Sequence, residues 1–330
     1  MKKVVFYFVM AVFAFTSCKK DNDEKEKEKE TTIDTNKVDV YVAGTVHNGS
    51  YAVLWKNGVL QNLTDGTNVG YAYSVYVNGS DVYVAGCEGS IAVVWKNGVP
   101  QNLTDGTNFA VAFSVYVSDN DVYVAGRNGG VATVWKNGIA QNLSTEPTET
   151  NWSLANSIFV LDNDVYVTGI EEKEQENRIA IVWKNGVAQN LTDGTINAAA
   201  ASVYVSNNDV YVAGYEGYFA KLWKNGISQN LTDGTKNAAA NSVFISDNDI
   251  YVTGSEENSA KLWKNGVEQN LIGGTYYAMA NSIYVLDDDV YVVGYEGNIA
   301  KLWKNGVAQN LPDGTNSSEA HSVFVVKRTK

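Results

Sequence analysis

The chain has 330 residues, a formal net charge of −12 and 45% hydrophobic content, enough to bury a large core. An acidic protein without basic runs makes a poor partner for a phosphate backbone, so no nucleic acid is expected. With only 3 prolines and no helical periodicity over any long window, an α-helical solenoid is not expected either.

Residues 1–17, "MKKVVFYFVMAVFAFTS", place two lysines before an apolar run from Val4 to Phe15, with small polar residues before Cys18. That is the layout of a secretory signal peptide, and the apolar run is too short to span a bilayer. The segment "FTSC", Phe15 to Cys18, resembles the lipobox of bacterial lipoproteins, with Phe15 standing where leucine is typical. The resemblance implies cleavage before Cys18 and lipidation of its sulfur; a plain secreted protein with an incidental cysteine is the alternative. Cys87 is the one other cysteine, so once Cys18 is lipidated no disulfide framework can form. After Cys18 comes "KKDNDEKEKEKETTIDTNK", too polar to bury a core and expected to act as a tether to the membrane. A charged, acidic segment in that place resembles export signals of lipoproteins displayed on Gram-negative cells. The chain therefore reads as a signal peptide (1–17), a lipidated charged tether (18–37) and a repeat domain (38–330), anchored at the bacterial outer membrane or cell surface.

From residue 39 onward the chain repeats with a period near 40: "WKNG" begins at Trp55, Trp95, Trp135, Trp183, Trp223, Trp263 and Trp303, with one spacing of 48. A period of that size with strand signals marks a propeller or a similar array. Each unit reads as four short strands. In the fifth, 201–206 and 209–214 are β-branched and aromatic runs joined by Asn-Asn, and 219–224 and 227–232 flank Asn225-Gly226. Asn-Gly between strands fits a type I′ turn, which needs positive φ at both positions.

Ser-Val/Ile strands begin seven times, from Ser74 to Ser322, and Asp-Val/Ile-Tyr-Val strands seven times, from Asp39 to Asp289. A linear stack would leave three strands in front and a lone strand behind, all with unpaired edges. Pairing 322–326 with 39–44 completes a seventh sheet instead, so the expected fold is all-β, a seven-bladed β-propeller of four-stranded blades closed by the two termini. An open β-array is the alternative. The repeat loosely resembles kelch, although "DVYVAG" lacks the second glycine, and the Gly-His and Trp-Asp marks of WD40 are absent. It is more similar to the "WKNG…NLT.GT" propeller repeats of certain bacterial lipoproteins; the resemblance covers about 39–326 and implies an envelope location without any activity.

Repetition supplies an internal control: positions identical in every unit serve the blade, and positions that differ are free to serve a ligand. The seven register tryptophans are therefore expected in the core. The alanines two residues before each inner serine, from Ala72 to Ala320, are expected where blades crowd the axis. "NLT" triplets match glycosylation sequons but read as strand ends. "TDGT" at Asp65, Asp105, Asp193 and Asp233, and "DND" at Asp119 and Asp247, read as turns, since they lack the acidic spacing of a calcium loop.

With the Ser-Val strand innermost, the Asn-Gly and Asp/Asn turns fall on one uniform face, and the longer loops and crossings on a variable face. Loops that vary on a rigid scaffold are the natural place for binding. The residue before each inner serine runs Tyr73, Phe113, Asn156, Ala201, Asn241, Asn281, His321, and is expected to line the channel mouth, with Tyr71, Tyr73, Phe109 and Phe113 crowding one side. Insertions at 144–155 and 170–179 flank blade four and bring Trp152 near Glu146, Glu149, Glu171 and Glu172. Exposed rings beside Asn and Glu suit a glycan or an envelope or extracellular protein; ordinary loop and channel packing is the plainer reading.

No Ser-His-Asp order, phosphate loop or activated cysteine is visible, and Cys87 is read as a loop residue beside Glu88, which disfavours a thiolate. A site of His47, His321 and Glu319 lacks a nameable orienting partner, so no metal or cofactor is expected. The sequence thus points to a monomeric, non-catalytic binding module for a glycan or protein. The alternative is a glycan-cleaving enzyme using Glu171 or Glu172.

Overall fold

The computed structural model describes residues 37–47, 50–144, 151–172, 177–269, 271, 277–312 and 317–328. All described residues lie in the unit Thr31–Lys330. There the chain forms seven four-stranded antiparallel sheets, the blades of a β-propeller. In blade 2 the strands are Gly70–Asn78, Asp81–Glu88, Ile91–Lys96 and Val99–Asn102, from axis to rim. Blades 3 to 7 repeat this with inner strands Ala110–Ser118, Trp152–Leu161, Ala198–Ser206, Ala238–Ser246 and Ala278–Leu286.

Blade 1 draws on both termini. Its inner strand, Ser318–Lys327, pairs antiparallel with Val38–Val46, which continues into Tyr51–Lys56 and Val59–Asn62. The pairing runs from Val38 opposite Lys327 to Val46 opposite Ser318, longer at both ends than the segments 39–44 and 322–326. The ring is closed, and the leftover strands of the repeat are one blade.

The repeated residues explain the scaffold. All seven register tryptophans are at most 1% exposed, and every axial alanine is fully buried. The single glycine of "DVYVAG" is a packing requirement: a Cβ on Gly86 would lie 1.8 Å from the Tyr71 carbonyl oxygen and 2.9 Å from the Trp95 indole. Asn-Gly turns carry positive φ at both residues, 53° and 78° at Asn57 and Gly58, as a type I′ hairpin demands.

"WKNG" does more than turn. Asn97 accepts the Val82 amide at 2.9 Å on Oδ1 and donates through Nδ2 to Asp81 at 2.9 Å. Lys96 meets the same carboxylate at 2.8 Å and sits 5.2 Å from the Tyr83 ring centre. This clasp of Asp, Tyr, Lys and Asn recurs in every blade on the uniform face, and so accounts for the seven-fold identity of those residues.

The threonine of "NLT" is structural as well. Thr64 and Thr104 accept the Ala52 and Ala92 amides at 3.1 Å. Where the repeat has Ser144 or Pro312 instead, Ser153 and Ser318 take over the corresponding amides of Ala132 and Ala300, at 2.8 and 3.0 Å. The "TDGT" aspartates are turn-formers, as Asp65 accepts both the amide and the hydroxyl of Thr67, at 2.9 and 2.7 Å.

Two rings of side chains join the blades at the axis. Each inner serine accepts the amide of the second residue of the next blade's Ser-Val/Ile pair: Ser74 that of Val115, Ser114 that of Ile158, and so on to Ser322 and Val75, at 3.2 to 3.4 Å. Two residues further on stand Tyr76, Tyr116, Phe159, Tyr204, Phe244, Tyr284 and Phe324. Their ring centres follow one another at 4.8 to 5.0 Å in a closed circle of tilted pairs. Seven rings, each in contact with its two neighbours, form a continuous aromatic collar around the axis.

Candidate functional site on the variable face

Every inner strand is bulged at the residue before its serine, so that Tyr73, Phe113, Asn156, Ala201, Asn241, Asn281 and His321 stand out of the regular ladder. A bulge leaves its extra residue unpaired and re-aims it. These residues form the level above the serine ring, with the aromatic collar beyond it. The variable-face mouth is a cup whose circumference has two kinds of wall.

One arc is aromatic. Tyr73 lies 5.2 Å from Phe113 and 5.4 Å from His321, centre to centre, and stacks on Tyr71 at 5.6 Å with 7° between planes. Burial raises the Tyr73 phenol well above its usual range. His321 has its Nε2 atom shut off from solvent without a hydrogen-bond partner, and burial lowers its pKa to about 4, so it is neutral at neutral pH. Glu319, two residues before it, is pushed up by burial.

The other arc is amide. Asn156, Asn241 and Asn281 donate their Nδ2 groups to the carbonyls of Ala200, Ala280 and Ala320 in the next blade, at 2.9, 3.0 and 2.9 Å. Each of these side chains already ties two blades together. Ala201 interrupts the series with no side-chain polar group.

Phe109 is half exposed, and the Arg127 guanidinium lies 5.0 Å above its ring. The Nε of Arg127 is buried and has no partner. Cys87 is not a loop residue: it is 3% exposed in the second strand of blade 2, opposite Tyr71, because the strand runs on to Glu88. Burial pushes its thiol up to about 11, which keeps it protonated.

At blade four, Trp152 stands opposite Glu172 and Ser153 opposite Glu171. Arg178 completes this group, 5.2 Å from the Trp152 ring and 3.2 Å from Glu172 Oε2 through its Nε. The structure thus brings Trp152, Glu171 and Glu172 together. Glu146, Glu149 and Cys18, with residues 1–17, lie outside the described residues.

His47 follows the first strand of blade 1 and packs edge-on against Tyr51 at 5.3 Å. Among the described residues no group of three or more His, Cys, Asp or Glu side chains is arranged to hold a metal ion.

Three features of this face escaped the sequence reading: Arg127, Arg178, and a cleft of about 340 Å³ over blades 5 to 7. The cleft is lined by Tyr215, Asn237, Ser255, Glu257, Tyr277 and Met279. Arg127 and Tyr215 share one repeat position, filled elsewhere by Thr45, Cys87, Ile170, Ser255 and Tyr295, so its variability was the available signal.

No protein-family model and no curated protein matches the chain. Among solved structures it is similar to a computationally designed protein, Ika8, at 20% identity and TM-score 0.49, over 87% of this chain and 89% of that one. A chain of a nidogen/laminin complex matches at 10% identity and TM-score 0.48, over 87% of this chain and 98% of that one. One of two structurally analysed prolyl endopeptidases matches at 15% identity and TM-score 0.49, over 89% of this chain but 51% of the enzyme. Likenesses at this level carry no argument about what the chain does. The class rests on the chain's own strands: a seven-bladed β-propeller.

Proposed function

We propose that the protein is a bacterial envelope lipoprotein of the "WKNG"-repeat kind, a monomeric, non-catalytic propeller anchored through Cys18 that binds a glycan on its variable face. The observation that carries this reading is the cup itself, one arc walled by Tyr73, Phe113 and His321, the other by Asn156, Asn241 and Asn281, with the aromatic collar beneath. Aromatic faces take the apolar face of a sugar, and a few fixed polar groups orient its hydroxyls.

Val38 begins its strand on the uniform face, beside the Asp39 clasp, where Arg328 meets Asp39 at 2.6 Å. Blade four adds a second surface, where Trp152 is already covered on one side by Arg178.

A glycan array probed with the full-length protein tests the proposal. Saturable binding that Tyr73→Ala abolishes is the expected result. Recovery of a specific envelope protein with no glycan bound replaces the ligand class, and turnover of a bound glycan that Glu171→Gln or Glu172→Gln removes overturns the non-catalytic reading.

A further inference from the structure

Among the described residues, eight buried side-chain polar atoms have no hydrogen-bond partner. Six belong to the scaffold: the Nε1 atoms of four register tryptophans, and the hydroxyls of Thr168 and Thr253, which occupy one repeat position. The remaining two, Arg127 Nε and His321 Nε2, recur in no other blade, and His321 borders Tyr73. His321 touches the Tyr73 ring at 5.4 Å, and the Arg127 charge reaches the Tyr73 phenol and the Cys87 thiol. A buried donor of a charged group is costly unless something pairs with it.

The choice of arginine narrows what that partner is. The sequence has three arginines, against many lysines. Arg328 is paired with Asp39 at 2.6 Å and Arg178 with Glu172 at 3.2 Å. Arg127 is the one without a carboxylate partner among the described residues, and its guanidinium carbon lies 5.0 Å from the Phe109 ring centre. A guanidinium presents a planar fork of donors that matches a carboxylate, which a lysine ammonium does not.

We propose that the aromatic arc of the mouth, Arg127 with Tyr71, Tyr73, Phe113 and His321, is a site for an acidic sugar whose carboxylate pairs with the Arg127 guanidinium. The inference rests on the glycan reading above and adds the ligand's charge. The stacked Tyr71 and Tyr73 rings and Phe113 cover the apolar face of the sugar. His321, a neutral imidazole packed on Tyr73, brings no second charge to this side of the arc. Glu319 lies close enough for its charge to act on Tyr73; its own pKa is raised by burial, which eases the approach of a second carboxylate as pH falls.

The test is an array of uronate- and sialate-type glycans, each beside its carboxyl-reduced counterpart and a sulfated analogue, probed with the full-length protein. At least one acidic member binds tenfold or more tightly than its reduced form, and added salt weakens that preference. Arg127→Gln abolishes the preference, Arg127→Lys does not restore it, and Tyr73→Ala loses acidic and reduced forms together. An unchanged thermal transition in Arg127→Lys separates loss of the fork from loss of the fold. Equal affinity for acidic and reduced forms, abolished by Tyr73→Ala, overturns the carboxylate and leaves the glycan reading standing. Preference for the sulfated analogue, or a preference that survives Arg127→Gln, also overturns it, and binding to no glycan overturns both.

Discussion

The hydroxyl of Ser74 accepts the backbone amide of Val115 from the neighbouring blade at 3.2 Å, one link of a belt that closes around the axis at Ser322 and Val75. Antiparallel ladders join strands within a blade, and this belt joins one blade to the next. Ser74→Ala removes the acceptor and leaves a buried amide unpaired, which costs about 1–3 kcal/mol. Urea denaturation should show a lower midpoint with an unchanged slope. A midpoint equal to that of the wild type would mean that the belt contributes nothing.

Ring closure is equally open to test. Truncation before Ser318 removes the inner strand of blade 1 and uncovers Val40 and Val42, both 1% exposed in the intact ring. It also frees an edge of the 38–46 strand for pairing with other chains. Size-exclusion chromatography should show the truncated protein as oligomers or aggregate. A monomer with the wild-type melting temperature would contradict closure by the termini.

Acid stability follows from His321. Its folded pKa of about 4 lies below the ordinary 6.5, so between these values the unfolded chain binds the extra proton. Stability is then complete above about pH 6.5 and declines as pH falls toward 4, by up to about 3 kcal/mol. Glu319, raised by burial, acts in the opposite sense just above its ordinary value of 4.5. The clasp aspartates such as Asp81 are lowered, chiefly by the hydrogen bond from Lys96, and lose their contribution only below 3.8. Denaturation of His321→Phe at pH 7 and pH 5 should show less pH dependence than the wild type; an identical dependence would reassign it.

Gly86→Ala probes the packing behind the repeat. The added methyl has the Tyr71 carbonyl on one side and the Trp95 indole on the other, so backbone must move. The expected loss is about 3 kcal/mol or more, against roughly 0.5 kcal/mol or less for Val59→Ala on the exposed rim. Comparable melting temperatures for the two variants would remove the steric account of this glycine.

Blade number, closure and the division into two faces were legible because each depends on strand pattern and on counting. Sequence identity between repeats also marked Trp95 and Ala72 as scaffold without showing what they touch. The aromatic collar was harder to foresee. Tyr76 and its equivalents belong to a strand of simple alternation, but the bulge at Tyr73 breaks the two-residue period, and one extra residue changes which side chains face the axis. Arg127 over Phe109 and Arg178 over Trp152 join residues on different strands, a proximity that spacing along the chain does not reveal. Cys87 was misread as a loop residue because the strand extends through it to Glu88, and strand ends are the least certain part of a sequence pattern.

Glycan-array binding by the full-length protein, compared between Tyr73→Ala and Lys96→Ala, sets the variable face against the uniform one. Lys96 belongs to an exposed clasp whose removal leaves the cup intact, whereas Tyr73 is the centre of the aromatic arc. Binding abolished by Tyr73→Ala and unaltered by Lys96→Ala is the predicted result. Binding that survives Tyr73→Ala and disappears with Lys96→Ala would place the site on the opposite face and contradict it.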